Sequence, residues 1–140
     1  EWQGTAHIDT TNPADSWVKL TINAASVSTG APDRDGHLRS ADFFDVEKSG
    51  PMRFVSTSFD GATAKGELTI KGVTNAVELD VTFLGIDKDA FGNIRIGVEA
   101  TTEINRKDFG VDFNIPLDGG KLLIGDKVGI TLSIQASLQA

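Results

Sequence analysis

A chain of 140 residues, 39% hydrophobic and 24% charged, has room for one domain with one core, and at this size about two-thirds of the extended-chain surface can be buried without staples. With no cysteine, a disulfide framework, a thiolate zinc site and a cysteine nucleophile are all excluded, although compartment is not identified. Thirteen Lys and Arg against twenty Asp and Glu leave a net charge of −7, which makes nucleic acid and anionic membrane surfaces poor partners.

Taken from the N-terminus, the chain shows seven stretches of strand character. Residues 4–9 are a short first candidate. Val18, Leu20 and Ile22 then alternate with Trp17, Lys19, Thr21 and Asn23, as a half-buried strand requires. Residues 24–51 are polar and turn-rich. They predict a short helix near 34–41, capped by Asp33, with Leu38, Ala41 and Phe44 sharing an inner face at helical spacing. Candidates 52–60 (with Phe54) and 64–71 follow, separated by Asp60-Gly61. Gly72-Val73-Thr74-Asn75 predicts the next turn, after which Val77, Leu79, Val81 and Phe83 alternate with Glu78, Asp80 and Thr82. Asp89-Ala90-Phe91-Gly92-Asn93 leads into a long strand whose one face reads Ile94, Ile96, Val98, Ala100, Thr102, Ile104. Residues 105–124 hold Phe109, Phe113, Ile115 and Leu117 among glycines and charges, and predict a folded loop. The last strand sets Val128, Ile130, Leu132, Ile134, Ala136 and Leu138 against Lys127, Gly129, Thr131, Ser133, Gln135 and Ser137. No apolar run approaches the roughly 20 residues of a membrane-spanning helix.

Clean alternation is an antiparallel signature, because parallel strands are buried on both faces and lose it. Short connections make sequential strands neighbours, so the layout is a meander. One short helix cannot cover so much apolar face, and the sheet must cover itself. The expectation is an all-β, antiparallel up-and-down barrel with one short helix, lined by the inward set Val18, Leu20, Ile22, Phe54, Leu79, Val81, Phe83, Ile96, Val98, Ile130 and Leu132. A barrel of about eight strands packs its interior or holds one small ligand. An aliphatic lining with few aromatics points to an apolar, elongated guest.

Polar constellations are few. Asp33, Asp35 and His37, with Arg34, Arg39 and Asp42 close by, read either as divalent-metal ligands or as a charged helix start in which the acids oppose the dipole. Asp87, Asp89 and Gly92 approach a calcium-loop spacing, but Phe91 and Val98 stand where oxygen ligands belong, so a hairpin loop is expected. His7 and His37 lie far apart with no G-x-S-x-G elbow, and Gly119-Gly120-Lys121 lacks the spacing of a P-loop. No catalytic site and no cofactor are expected. The alternative is an enzyme working through Asp33, Asp35, His37 and Arg39, or through Arg106 and Asp108. A third is a stress or interaction protein with a solidly packed barrel.

Several segments together resemble the YceI-like family of lipocalin-like polyisoprenoid-binding proteins. They are Ala25-Ser26-Val27-Ser28-Thr29-Gly30, Asp33-Arg34-Asp35-Gly36-His37-Leu38-Arg39-Ser40-Ala41-Asp42-Phe43-Phe44-Asp45, Phe54-Val55-Ser56-Thr57, Gly66-Glu67-Leu68-Thr69-Ile70-Lys71-Gly72-Val73-Thr74 and Ile104-Asn105-Arg106-Lys107-Asp108-Phe109-Gly110. Their order and spacing cover essentially the whole chain. The resemblance implies a lipocalin-type barrel around a long hydrophobic tunnel, with Leu38, Phe43 and Phe44 facing inward and Phe109 in a loop at a strand end. It implies a carrier of an isoprenoid quinone or polyprenyl chain, periplasmic or secreted in many members and without a signal peptide in others. Family members carry a further N-terminal segment, whereas this chain opens at Glu1-Trp2-Gln3-Gly4. The expectation is therefore that a strand is missing here, lost from a longer parent or supplied by a second chain across an open seam as a homodimer. Partner-free closure of 4–9 on 126–138 is the alternative.

Overall fold

The computed structural model describes residues 1–9, 11–116, 120 and 122–138. Its strands are β1 (Trp2–His7), β2 (Trp17–Ile22), β3 (Met52–Phe59), β4 (Thr63–Ile70), β5 (Val73–Lys88), β6 (Ile94–Asn105) and β7 (Lys127–Ser137). Each pairs antiparallel with the next in sequence, giving one seven-stranded meander. The sheet curls until Leu20 and Ile22 of β2 and Ile130 and Leu132 of β7 wall the same cavity. Among the described residues β1 and β7 remain the two unpaired edges. The curl is thus a half-barrel, and closure between 4–9 and 126–138 does not occur. The accessible surface of 9162 Å² agrees with that openness, since a compact monomer of this mass exposes about 7,000 Å².

Local chemistry moves several boundaries. The hairpin between β4 and β5 turns on two residues, Lys71 (φ 53°) and Gly72 (φ 76°), both left-handed as a two-residue hairpin of primed type requires. The turn expected at Gly72–Asn75 is therefore one residue earlier and shorter. Val73, Thr74 and Asn75 already pair with Ile70, Thr69 and Leu68. The next hairpin turns at 89–93, where Asp89 accepts from the amides of Phe91 at 2.9 Å and Asn93 at 3.0 Å. Asp89 is a turn cap.

The 24–51 segment forms α1 (Pro32–Arg39) and α2 (Val46–Ser49). Asp33 does not cap α1: Pro32 takes the first helical turn, Ala31 is the residue before it, and no side chain caps the end. Proline suits that position because its missing N–H has no partner there anyway. Asp33 and Asp35 sit in the first turn and Arg39 in the last, the order that the helix dipole favours. The helix ends at Arg39, so Ala41 lies beyond it and is exposed, whereas Leu38 and Phe44 do face the interior.

Leu20, Phe54, Leu68, Leu79 and Ala100 form the buried floor, and Phe43, Phe109 and Val111 close over one end of it. Gly66 of β4 is needed for this packing: an added Cβ would lie 2.6 Å from the Phe54 ring and 2.5 Å from the Val55 carbonyl. Among the described residues of the expected 105–124 loop, a 3-10 turn forms at Arg106–Phe109 and Phe113 lies edge-on to Phe43. Leu117, Gly119 and Lys121 lie outside the described residues.

Candidate functional site

Period-two alternation puts every second side chain of each strand on the concave face, and curling gathers these into a trough. One cavity of about 660 Å³ occupies the end under α1 and the 106–126 loop. A smaller one of about 120 Å³ lies toward the other end. Both are walled by Leu20, Phe54, Leu79 and Leu132, so the two adjoin along one trough, with these four side chains between them.

All fifteen residues expected to line the interior border one of these two cavities. Ile22, Leu38, Phe43, Phe44, Phe109 and Ile130 line the larger. Val18, Val81, Phe83, Ile96 and Val98 line the smaller, and the four shared residues join them. The larger wall also takes Leu68 and Ile70 from β4, Met52 from β3, and Val111 and Ile124 from the loop. Strand alternation within 52–60 and 64–71 points to the first three. Nothing periodic marks Val111 or Ile124, which a loop places.

Polar groups on the larger wall are Thr102, Lys127 and Arg106. Arg106 is 5% exposed, and its guanidinium is used up on the loop. Nε donates to the Gly125 carbonyl at 2.9 Å, and Nη1 donates to Val111 at 2.7 Å and Phe113 at 2.8 Å. Nη2 reaches the Ile124 carbonyl at 3.3 Å and lies 3.7 Å from Asp126. A planar fork of five donors on a permanent charge suits this task. It ties two passes of the chain together so that Phe109 and Val111 can roof the trough.

The Asp33–Asp42 cluster is organised in the same way. Asp35, 7% exposed, accepts from the Thr29 amide at 2.9 Å and from the Thr29 hydroxyl. Arg34 Nη2 donates to the Thr29 carbonyl at 2.9 Å. Arg39 donates to the carbonyls of Ala25 (2.9 Å) and Val27 (3.2 Å). His37 Nε2 lies 2.9 Å from Asp42 Oδ2, with its ring edge-on to Phe43 and Phe113. The bonds to Ala25, Val27 and Thr29 latch α1 onto the segment before it, and His37 ties it to the turn that follows. Asp33 and Asp108 are exposed. The structure does not bring Asp33, Asp35 and His37 together around one point, and among the described residues no three His, Asp or Glu side chains converge as a metal site.

A curled antiparallel meander with an apolar trough and a helical flap is of lipocalin-like class. The chain belongs to the YceI-like domain family, whose pattern it matches over residues 1–136. A UPF0312 protein of Ectopseudomonas mendocina is 41% identical over 116 residues, 79% of this chain and 61% of that one. The YceI protein of Escherichia coli is 41% identical over 115 residues, 79% of this chain and 60% of that one. A Staphylococcus aureus UPF0312 protein is 36% identical over 119 residues, 84% and 70% of the two chains. The chain spans about three-fifths of the length of the first of these relatives. Among solved structures, the YceI protein of Campylobacter jejuni superposes with TM-score 0.80 at 26% identity, over 100% of this chain and 82% of that one. Burkholderia cenocepacia BcnA shares the fold, with TM-score 0.78 over 97% of this chain and 84% of that one at 23% identity.

Proposed function

We propose that the trough holds a long apolar molecule, an isoprenoid quinone or a polyprenyl chain, which the protein binds, stores or carries without changing it chemically. The observation behind this reading is a pair of apolar cavities that adjoin across Leu20, Phe54, Leu79 and Leu132. The larger volume, about 660 Å³, falls in the range of small-molecule sites. Removing about 300 Å² of prenyl surface from water contributes about 7 kcal/mol at 25 cal/mol per Å², before ordering costs. No specific polar contact is required for that.

A non-enzymatic role is supported by what the polar candidates already do. Asp35, Arg39 and Arg106 hold loops, and His37 pairs with Asp42 outside the trough. A second copy of the chain across the unpaired β1 and β7 edges is part of the same reading. The test is lipid extraction from purified protein followed by mass spectrometry, together with titration by a long-chain quinone. Co-purified prenyl lipid and saturable binding are expected, with Ile130→Trp weakening binding at least tenfold by filling the larger cavity. Protein that is always empty and does not bind long-chain quinones overturns the reading.

A further inference from the structure

The apolar inner face continues beyond the rim of the barrel. The last pairing of β4 with β5 is Thr63 with Asp80, and from Thr82 onward β5 has only β6 beside it. The end of this hairpin, residues 84–95, overhangs the small cavity. A bulge between Phe83 and Gly85 shifts the register by one, so that Ile86 rather than Gly85 stands opposite Ile96. Directly paired residues share a face, which puts Ile86 on the same side as Ile96 and Ala136. Leu138 joins them, its amide donating to the Ile94 carbonyl at 2.9 Å. Phe83, Ile96 and Ala136 line the cavity. Past them Ile86 (65% exposed), Leu138 (67%) and Phe91 at the hairpin tip (89%) stand in solvent.

The charge of the overhang differs from that of the rest of the molecule. Residues 84–95 carry Asp87 and Asp89 against Lys88 and Arg95, a net charge of zero in a chain of −7. Asp89 is neutralised by Arg95 Nε at 2.8 Å and also caps the turn, so Phe91 is presented on a fixed tip. With Ile94, the bare apolar side chains expose on the order of 500 Å², the upper range for a monomer and short of the roughly 800 Å² per partner of a stable protein interface; Leu84 stands on the opposite face, over Gly97. A narrow projection of zero net charge with an apolar tip suits the headgroup boundary of a bilayer, where aromatic and aliphatic side chains insert without a matching surface and Lys88, paired with Ile94, can reach the headgroups.

We propose that the 84–95 hairpin seats in a neutral bilayer surface and that Phe91, Ile86, Ile94 and Leu138 form the path by which the apolar ligand passes between bilayer and trough. The docking stands by itself; the passage rests on the trough reading above. The experiment is flotation of the purified chain with phosphatidylcholine vesicles, with sedimentation velocity and thermal melting run beside it. Wild type is expected to float, and the Ile86→Ser/Phe91→Ser variant to lose at least tenfold in partition while melting as wild type does. Leu123→Ser, an exposed leucine elsewhere, is expected to float normally. Quinone transfer out of loaded vesicles should slow at least tenfold in the double variant, whereas quinone binding without vesicles should not change.

Wild type that does not float, or a double variant that floats equally, overturns the inference. So does a wild-type dimer that the double variant abolishes, since Phe91 would then be covered by a second copy. Flotation lost in the double variant, in protein that binds no quinone at all, supports docking and overturns the trough reading alone.

Discussion

Replacing Arg106 tests the structural logic of the trough roof most directly. In Arg106→Ala the carbonyls of Val111, Phe113 and Gly125 lose the donors that hold them at 2.7–2.9 Å. The Ile124 carbonyl keeps a partner, because Asn114 Nδ2 also donates to it at 2.8 Å. A buried acceptor left unpaired costs about 1–3 kcal/mol. Three acceptors near the low end of that range, since water can reach the loop once it loosens, give a loss of about 3–4 kcal/mol. Against a total stability of about 5–15 kcal/mol this is large, equivalent to about 10 °C in melting temperature for a chain of this size. Arg106→Lys retains the charge but not the fork, so one ammonium serves fewer of these carbonyls. Its loss should be about half as large. Urea unfolding monitored by tryptophan fluorescence measures both, with an unchanged slope showing that the same unfolding is compared. If Arg106→Ala stays within 1 kcal/mol of wild type, the carbonyl network is not what holds the roof. If both variants retain full stability and lose ligand, Arg106 reads a head group instead.

Gly66→Ala should cost about 1–3 kcal/mol in the same assay, because its Cβ meets a backbone oxygen at 2.5 Å that cannot swing away. Gly36→Ala, in the exposed middle of α1 with nothing within 4 Å, should instead stabilise by about 0.5–1 kcal/mol; the opposite ordering would show the packing to be wrong. Asp89 is lowered from 3.8 to about 2, mainly by the hydrogen bond from Arg95, so the folded state gains from its ionised form above about pH 4. That gain is lost as pH falls through about 2; an NMR titration placing Asp89 at 4 or above, or an Asp89→Asn variant with unchanged acid sensitivity, would contradict this. The β1 and β7 edges should make the chain self-associate at micromolar concentration, and Thr131→Lys/Ser133→Lys on the outer face of β7 should weaken that at least tenfold. A wild type that sediments as a monomer throughout would show the seam to be shielded some other way.

Alternation is a local property that the curl of the sheet does not change, and this is why the eleven inward strand residues were legible; Leu38 and Phe44 rested on helical spacing, and Phe43 and Phe109 on the family resemblance alone. Val18 to Ile22 and Val77 to Phe83 each fix a face from neighbours two residues away. The misread features depend on something else. Asp33 resembled a cap, but Pro32 starts the helix one residue before it, and backbone geometry outranks side-chain preference there. The β4–β5 turn was misplaced because Lys71 adopts a positive φ that non-glycine residues seldom take. Ile86 was not among the inward residues named from the sequence, because strict alternation from Phe83 runs to Gly85 and Asp87. A bulge restores it to that face, and bulges leave little trace in a single sequence. Arg106 was legible as a residue but not as a tie, because its four carbonyl partners come from loop segments up to 19 positions away.

If the proposed ligand and seam partner both bind, the open half-barrel links them energetically. Several trough residues, among them Val18, Ile22, Val81, Ile96 and Ile130, are only half-buried in the free chain. Their remaining apolar area still gains about 25 cal/mol per Å² from any cover. On the proposed reading, a prenyl chain would cover the trough from within, and a strand paired at the seam would cover it from the side. Each excludes water from walls that the other also touches, so occupancy by one should reduce what the other gains where they overlap, and reinforce it where one merely orders the wall for the other. Ligand bound to the folded form alone also raises stability by RT ln(1 + [L]/Kd), about 2.7 kcal/mol at a hundredfold excess over Kd. A saturating quinone should therefore raise the melting temperature and shift the monomer–dimer balance together. Leu79, which touches both cavities, is the position where a truncation to Ala should weaken the two effects in parallel.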